Sequence, residues 1–196
     1  MRTAYLLTTD KESERTKFSI HVLEKIGFNV KLIQHIFNSD KVLSNKMSMM
    51  HIYEMIHREE TEDWSYIFED DINTLKDISL NEITEYEKIS TSFFYLGCCV
   101  YNSGGVNNTG CSINSKPVMS ISGGVRGLHA IGISVEGATE LLELAKSSEL
   151  VYMDCILEQF SIKHPANVVR YDLESYIRGH RGIVFQDRNR FPSEIP

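Results

Sequence analysis

The amino-terminal part of the chain alternates short apolar runs with one amphipathic segment. Residues 4–9 (AYLLTT) predict a strand, and residues 28–36 (FNVKLIQHI) alternate apolar and polar side chains as a second strand would. The segment between them predicts a helix that ends at Gly27, because four apolar side chains recur in it at helical spacing: Phe18, Val22, Leu23 and Ile26. The order strand, helix, strand predicts an α/β fold with parallel pairing in its sheet.

The same pattern continues through the rest of the chain. Further strands are predicted for the apolar runs that lie in residues 64–72, 92–101 and 127–134. Helices are predicted for residues 47–58, for a segment capped by Ser134, and for residues 151–160. Residues 102–117 are rich in Gly, Asn and Ser and predict a long loop, and the tail from residue 177 is mostly polar.

Composition narrows the class of protein. The chain has 196 residues, 42% of them hydrophobic, which predicts a single domain over residues 1–196 with its own core. A formal net charge of -7 argues against a broad basic surface for nucleic acid. We expect reduced core thiols at Cys98, Cys99, Cys111 and Cys155. No signal peptide or membrane span is apparent, so we expect a soluble, cytoplasmic protein.

The run WSYIFEDDI at residues 64–72 ends a predicted strand in three acids, Glu69, Asp70 and Asp71. A solvated turn or a helix start would also account for such acids. However, α/β sheets bind ligands at the carboxyl ends of their strands, where poorly solvated acids need a cation. Carboxylates select Mg²⁺ or Mn²⁺, and these ions commonly bridge to a phosphate-bearing substrate. The triplet therefore suggests a metal-bridged diphosphate, as in sugar transfer from a nucleotide sugar.

Three motifs, in order, resemble glycosyltransferase family 25, which includes lipopolysaccharide-type sugar transferases and collagen galactosyltransferases. They are YIFEDDI at 66–72, LHAIGISVEGATELL at 128–142 and YMDCIL at 152–157. The resemblance implies a GT-A-like nucleotide-sugar-binding fold with a mainly parallel mixed sheet flanked by helices. It further implies a metal-dependent, inverting transfer of galactose or glucose from a uridine diphosphate (UDP) sugar to a hydroxyl of a glycan or glycosylated carrier.

The resemblance also implies roles for particular residues. Asp71 is the first choice for binding Mn²⁺ or Mg²⁺, while Glu69 and Asp70 are available for the donor or the metal shell. Asp154 is the candidate base that takes a proton from the acceptor hydroxyl, although an ordinary exposed helix acid is the alternative. The remaining candidates are Arg15 for the diphosphate, His129 for the donor sugar or as a core residue, and His180 as a further metal ligand, with His164 as its alternative.

Two other functions remain open from the sequence. A metal-dependent nucleotidyltransferase would use the same acids, although the segment after the first strand lacks a glycine-rich phosphate cradle. A catalytically silent sugar- or partner-binding module would keep the fold without the chemistry.

Overall fold

The computed structural model describes residues 2–59, 63–169 and 180–192. Five α-helices lie in these ranges: α1 (Glu14–Ile26), α2 (Lys41–Glu59), α3 (Leu80–Glu87), α4 (Val135–Ser147) and α5 (Met153–Lys163). The strands of the same ranges are β1 (Thr3–Thr8), β2 (Asn29–Gln34), β3 (Trp64–Glu69), β4 (Ile72–Thr74), β5 (Phe93–Val100), β6 (Val106–Ile113), β7 (Lys116–Ile121), β8 (Val125–Ser134), β9 (Ala166–Val169), β10 (His180–Gly182) and β11 (Val184–Gln186).

The fold is α/β, built on a mixed nine-stranded sheet. Its strand order is β2-β1-β3-β8-β5-β9-β7-β6, with β10 paired to β5, while β4 and β11 form a separate antiparallel pair. Strand β1 is parallel to β2 and β3, and β5 is parallel to β9; the other pairs in the sheet are antiparallel. Within the described ranges, six of the nine strands consequently run in one direction, and β7, β8 and β10 run in the other.

Helices cover both faces of the sheet, and alternation along each strand divides the core in two. In β1, Tyr5 and Leu7 belong to the cluster that also includes apolar residues of α2, α4 and α5. Ala4 and Leu6 belong to the other cluster, which includes residues of α1 and α3. This alternation follows from the two-residue period of a strand and confirms the predicted α/β arrangement.

The helix ends follow the local sequence closely. Ser13 caps α1 by accepting a hydrogen bond from the Thr16 backbone N–H, and Gly27 ends it in the left-handed region at φ 110°. Ser134 caps α4 as predicted, with its Oγ accepting from the Gly137 N–H at 3.0 Å. Trp64 is buried at the start of β3. In the part of the chain that the structure describes, no helix combines the length and apolarity needed to traverse a bilayer.

The prediction of a long loop at residues 102–117 is wrong. After a short 3₁₀ turn at Ser103–Gly105, these residues form β6 and enter β7, joined by a tight turn at Asn114 and Ser115 with φ of 49° and 63°. Strand β6 lies at the end of the sheet, and most of its residues are exposed. Its polar sequence therefore reflects an exposed edge strand, which alternation analysis does not distinguish from a loop.

The expectation of four core thiols also needs correction. None of the four cysteines is in a disulfide, but only Cys98 is fully buried. Cys111 is exposed because it lies on the edge strand β6, and Cys99 and Cys155 are partly exposed.

Candidate functional site

The three acids lie between β3 and β4, at the carboxyl end of the parallel strands β1 and β3. Glu69 is the last residue of β3, and Asp70 and Asp71 form the turn before β4. Asp70 is only 6% exposed and Asp71 only 2% exposed. Because both side chains are buried, the interpretation of the triplet as a solvated turn is wrong.

Asp70 is held by protein groups on both carboxylate oxygens. Thr8 Oγ1 donates to Asp70 Oδ2 at 2.6 Å, and Thr16 Oγ1 lies 3.3 Å from the same oxygen. Arg15 Nε is 2.7 Å from Asp70 Oδ1. In addition, Ser19 Oγ donates to the Asp70 carbonyl oxygen at 2.8 Å. Asp70 thus connects the turn after β3 to the end of β1 and the first turns of α1.

Asp71 has one engaged and one unengaged oxygen. Its Oδ2 lies 3.3 Å from Arg15 NH2 and 3.4 Å from Gln186 Nε2, and its carbonyl oxygen accepts from the Asp187 N–H at 2.7 Å. Asp71 Oδ1 is buried and has no hydrogen-bond partner among the described residues. A buried carboxylate oxygen without a partner is energetically costly, which makes it a candidate ligand position for a cation.

The electrostatics of the site also favour a cation. Burial, followed by the charges of Asp71 and Asp70, raises the pKa of Glu69 to about 8, against the opposing charges of Arg15 and Arg188. Burial likewise raises the pKa of Asp71, although Arg15 opposes it. Burial and mutual repulsion thus both disfavour ionisation of these acids, and a bound cation would offset both effects.

The residues present fit a divalent ion that takes few protein ligands. Among the described residues, no three His, Cys, Asp or Glu side chains are arranged as a metal site. Mg²⁺ sites at phosphate-binding enzymes often have one or two protein carboxylates, with water and phosphate oxygens completing the shell. Asp71 Oδ1 suits that mode because no described residue hydrogen-bonds to it and it lies in a turn of three acids.

The raised pKa of Glu69 predicts how the stability of the metal-free protein depends on pH. A carboxyl whose pKa is raised on folding contributes stability that is fully present below its unfolded pKa, near 4.5, and is lost as pH rises toward its folded value of about 8. We therefore expect the melting temperature in EDTA to fall between pH 5 and pH 8, and we expect Glu69→Gln to reduce this fall. Allowing for partial solvent screening, the change is on the order of 2 kcal/mol.

The matched control for this measurement is Glu143→Gln. Glu143 is an exposed acid on α4 that pairs with Lys146 at 3.0 Å, and its substitution should leave the pH profile unchanged. Identical pH profiles for the wild type and Glu69→Gln would contradict the proposed environment of Glu69.

Sequence reasoning missed the contribution of the segment after β10. Gln186 Nε2 donates to Glu69 Oε2 at 2.9 Å, and Arg188 NH2 donates to Gln186 Oε1 at 3.0 Å. Asp187 begins a turn, and Asn73 Nδ2 donates to its Oδ2 at 3.0 Å. The only sequence signal for this strand is the short apolar run before Gln186.

His129 lies in β8 and is fully buried. Phe68 pairs with Ala130, so the same register continued by one residue places His129 opposite Glu69. Its ring packs against Gly97, where an added Cβ would lie 2.6 Å from His129 Nε2 and 2.0 Å from the Val184 carbonyl oxygen. The glycine at position 97 is therefore required by close packing, and the role of His129 toward a sugar stays a prediction.

Asp154 lies in the first turn of α5, and it is half-buried. Helix α5 leads into β9, which is parallel to β5, so its amino-terminal end points toward the carboxyl ends of the parallel strands. Asp154 interacts electrostatically with Arg126 of β8. In the sheet, Arg126 lies opposite Cys99, which is near the carboxyl end of β5. The structure thus brings Asp154 to the same edge of the sheet as the acidic turn, in a neighbouring cluster of its own.

The two histidines proposed as further metal ligands have different outcomes. The backbone of His180 begins β10 opposite Cys99, but its side chain lies outside the described part of the chain. His164 ends α5, where its Nε2 lies 3.0 Å from Glu140 Oε2 and its Nδ1 lies 3.3 Å from Ser92 Oγ. That end of α5 is at the opposite edge of the sheet from the acids.

Comparison with known proteins gives structural likenesses, three of which follow, each with a TM-score below 0.5. No family model and no curated protein sequence matches the chain. A solved structure of a protein from STIV has 14% identity and a TM-score of 0.45, over 85% of this chain and 81% of that one. A glycosyltransferase involved in glycosylation of the major capsid of PBCV-1 has 9% identity and a TM-score of 0.48, over 77% and 71% of the two chains.

A third likeness is to the glycosyltransferase GlyE of Streptococcus pneumoniae TIGR4 in its apo form. It has 10% identity and a TM-score of 0.46, over 84% of this chain and 44% of that one. At these values the likenesses identify no residue of the site, and the resemblance to glycosyltransferase family 25 remains a resemblance.

Proposed function

We propose that this chain is a metal-dependent, inverting glycosyltransferase that moves a hexose, galactose or glucose, from a UDP-sugar to a hydroxyl of a glycan or glycosylated carrier. The observation that supports this most is the buried Asp71 Oδ1, which has no hydrogen-bond partner among the described residues and lies in a turn of three acids at the carboxyl end of β3. Such a turn suits a divalent cation and, through it, a diphosphate. The assignment of sugar transfer as the reaction rests on the three motifs that resemble glycosyltransferase family 25.

In this proposal the residues of the acidic turn divide the work. Asp71 Oδ1 binds Mn²⁺ or Mg²⁺, which supplies Lewis-acid neutralisation of the leaving diphosphate when bound. Asp70 orients Arg15 from α1, because its two oxygens are held by Arg15, Thr8 and Thr16. Glu69 contacts the donor or a water of the metal shell. Arg15 and Arg188 offset part of the negative charge of the acids and of the diphosphate.

The acceptor side of the reaction is assigned to the neighbouring cluster. Asp154 takes the proton of the attacking hydroxyl, which in an inverting transfer approaches from the face opposite the leaving diphosphate. His129, buried opposite Glu69, borders the position of the donor sugar.

The test is thermal unfolding with UDP and nucleotide sugars, with and without Mn²⁺. A ligand whose concentration is one hundred times its dissociation constant stabilises the native state by about 2.7 kcal/mol. We expect such a shift for UDP with Mn²⁺ and a smaller one for either alone. No Mn²⁺-dependent shift would favour a catalytically silent module. A shift with a nucleoside triphosphate, followed by pyrophosphate release, would favour a nucleotidyltransferase.

A further inference from the structure

Gln186 is the one described side chain whose hydrogen bonds connect Glu69, Asp71 and Arg188. Its Nε2 lies 2.9 Å from Glu69 Oε2 and 3.4 Å from Asp71 Oδ2, and its Oε1 accepts from Arg188 NH2 at 3.0 Å. An amide is suited to this position because it carries a donor end and an acceptor end on one rigid plane. A carboxylate there would face two other carboxylates.

Arg188 determines which way the Gln186 amide points. A guanidinium only donates hydrogen bonds, so the end of the amide that faces Arg188 must be the oxygen. The nitrogen end must then face the two acids. With the amide turned over, its oxygen would lie against the carboxylate oxygens of Glu69 and Asp71, and its nitrogen against a cation.

The Gln186 amide also makes the two carboxylate oxygens of Asp71 inequivalent. Gln186 and Arg15 both approach Oδ2, at 3.4 Å and 3.3 Å, while Oδ1 has no partner among the described residues. If the carboxylate rotated by half a turn, Oδ1 and Oδ2 would exchange places and the arrangement would be the same. Because Gln186 and Arg15 both approach one oxygen, the other oxygen of Asp71 has no partner among the described residues and points in a fixed direction.

We propose that Gln186 is a positioning residue for the metal site: it holds Glu69 and Asp71 in place and so presents one oxygen of Asp71 to a divalent cation. The proposal rests on the function proposed above and adds to it a residue that lies outside all three family-like motifs. Groups that hydrogen-bond to metal ligands typically contribute 10- to 100-fold to metal affinity. Gln186 acts through Asp71 and Glu69, and it is not itself a ligand.

The test is Mn²⁺ binding to the full chain, measured by electron paramagnetic resonance of free Mn²⁺ without nucleotide, and then with UDP. The informative variant is Gln186→Met, which keeps the length of the side chain but removes both the donor and the acceptor. We expect its Mn²⁺ dissociation constant to rise 10- to 100-fold, and Mn²⁺-dependent UDP binding to weaken with it. UDP binding measured without Mn²⁺ should change much less, a difference that simple loss of packing would not produce.

Asn73→Ala is the matched control. Asn73 lies in β4, the strand that pairs with β11, and its side chain donates to Asp187 and not to Glu69 or Asp71. We expect Mn²⁺ affinity within about threefold of the wild type for this variant, with thermal unfolding showing that both variants fold. If wild type binds Mn²⁺ and Gln186→Met binds it equally well, the positioning role is wrong while the proposed function stands. If wild type binds no Mn²⁺, both proposals are wrong.

Discussion

Asp71→Asn should abolish Mn²⁺-dependent transfer or hydrolysis of a UDP-sugar while leaving the protein folded. Neutralisation of the leaving diphosphate by a metal is worth several kcal/mol. A loss of about 4 kcal/mol corresponds to a decrease in kcat/KM of about a thousandfold. The measurement is UDP release from the donor as a function of Mn²⁺ concentration.

The fold should tolerate this substitution for a reason visible in the site. Asp71 Oδ2 accepts from Gln186 at 3.4 Å and lies 3.3 Å from Arg15 NH2, and an asparagine carbonyl oxygen can keep both contacts. Burial raises the pKa of Asp71, so ionisation of this carboxyl destabilises the metal-free fold at neutral pH. We therefore expect a melting temperature without metal equal to or above that of the wild type.

A surface acid that follows β4 in the chain provides the control. Asp77 pairs with Lys25 at 2.5 Å, and both side chains are largely exposed. Asp77→Asn should retain activity within about twofold, because a surface ion pair contributes little. Mn²⁺-dependent turnover by Asp71→Asn at the wild-type rate would show that the assignment of the metal position is wrong.

Arg15→Met should produce the largest loss of stability of any single substitution in the site. The side chain of Arg15 is 17% exposed, and the side chains of its partners Asp70 and Asp71, taken without their backbone atoms, are 9% and 3% exposed. Removing one partner of a buried ion pair leaves an uncompensated charge and costs about 3–5 kcal/mol. Urea unfolding at pH 7 should show this as a lower midpoint with an unchanged m-value.

Lys17→Met is the matched control on the same helix. Lys17 lies 3.1 Å from Glu12, but the two side chains are 60% and 85% exposed. The change in free energy of unfolding should stay within about 0.5 kcal/mol. Equal unfolding midpoints for the Arg15 and Lys17 variants would mean that Arg15 does not compensate the buried acids.

The elements of the fold that the sequence predicted are those with long, one-sided apolar patterns. Helix α1 was predictable from its apolar spacing and from Gly27, and β3 from an uninterrupted apolar run. Helix α3 was not predicted, because its eight residues bury only Ile83 and Tyr86. Strand β6 was mistaken for a loop because an exposed edge strand has a polar sequence.

The candidate site likewise contains residues that could be predicted from the sequence and residues that could not. Glu69, Asp70 and Asp71 were predictable because three acids that end an apolar strand are conspicuous on electrostatic grounds. Gln186 was not, since a glutamine in a three-residue strand has no periodicity and its partners are far away in sequence. The division of roles among the acids also depended on the structure, because it is Thr8, Thr16 and Arg15 that occupy Asp70 and leave Asp71 with an unengaged oxygen.

The pairing of β4 with β11 has a consequence for the order of folding. Gln186 and Asp71 are 115 residues apart, whereas Thr8 and Asp70 are 62 apart. Contacts between distant residues must overcome a larger loop-closure entropy. During synthesis Asp70 can therefore form its contacts with Thr8 and Arg15 before Gln186 is available to hydrogen-bond to Glu69 and Asp71. The nucleotide binding proposed above would then be completed late, after Gln186 has left the ribosome.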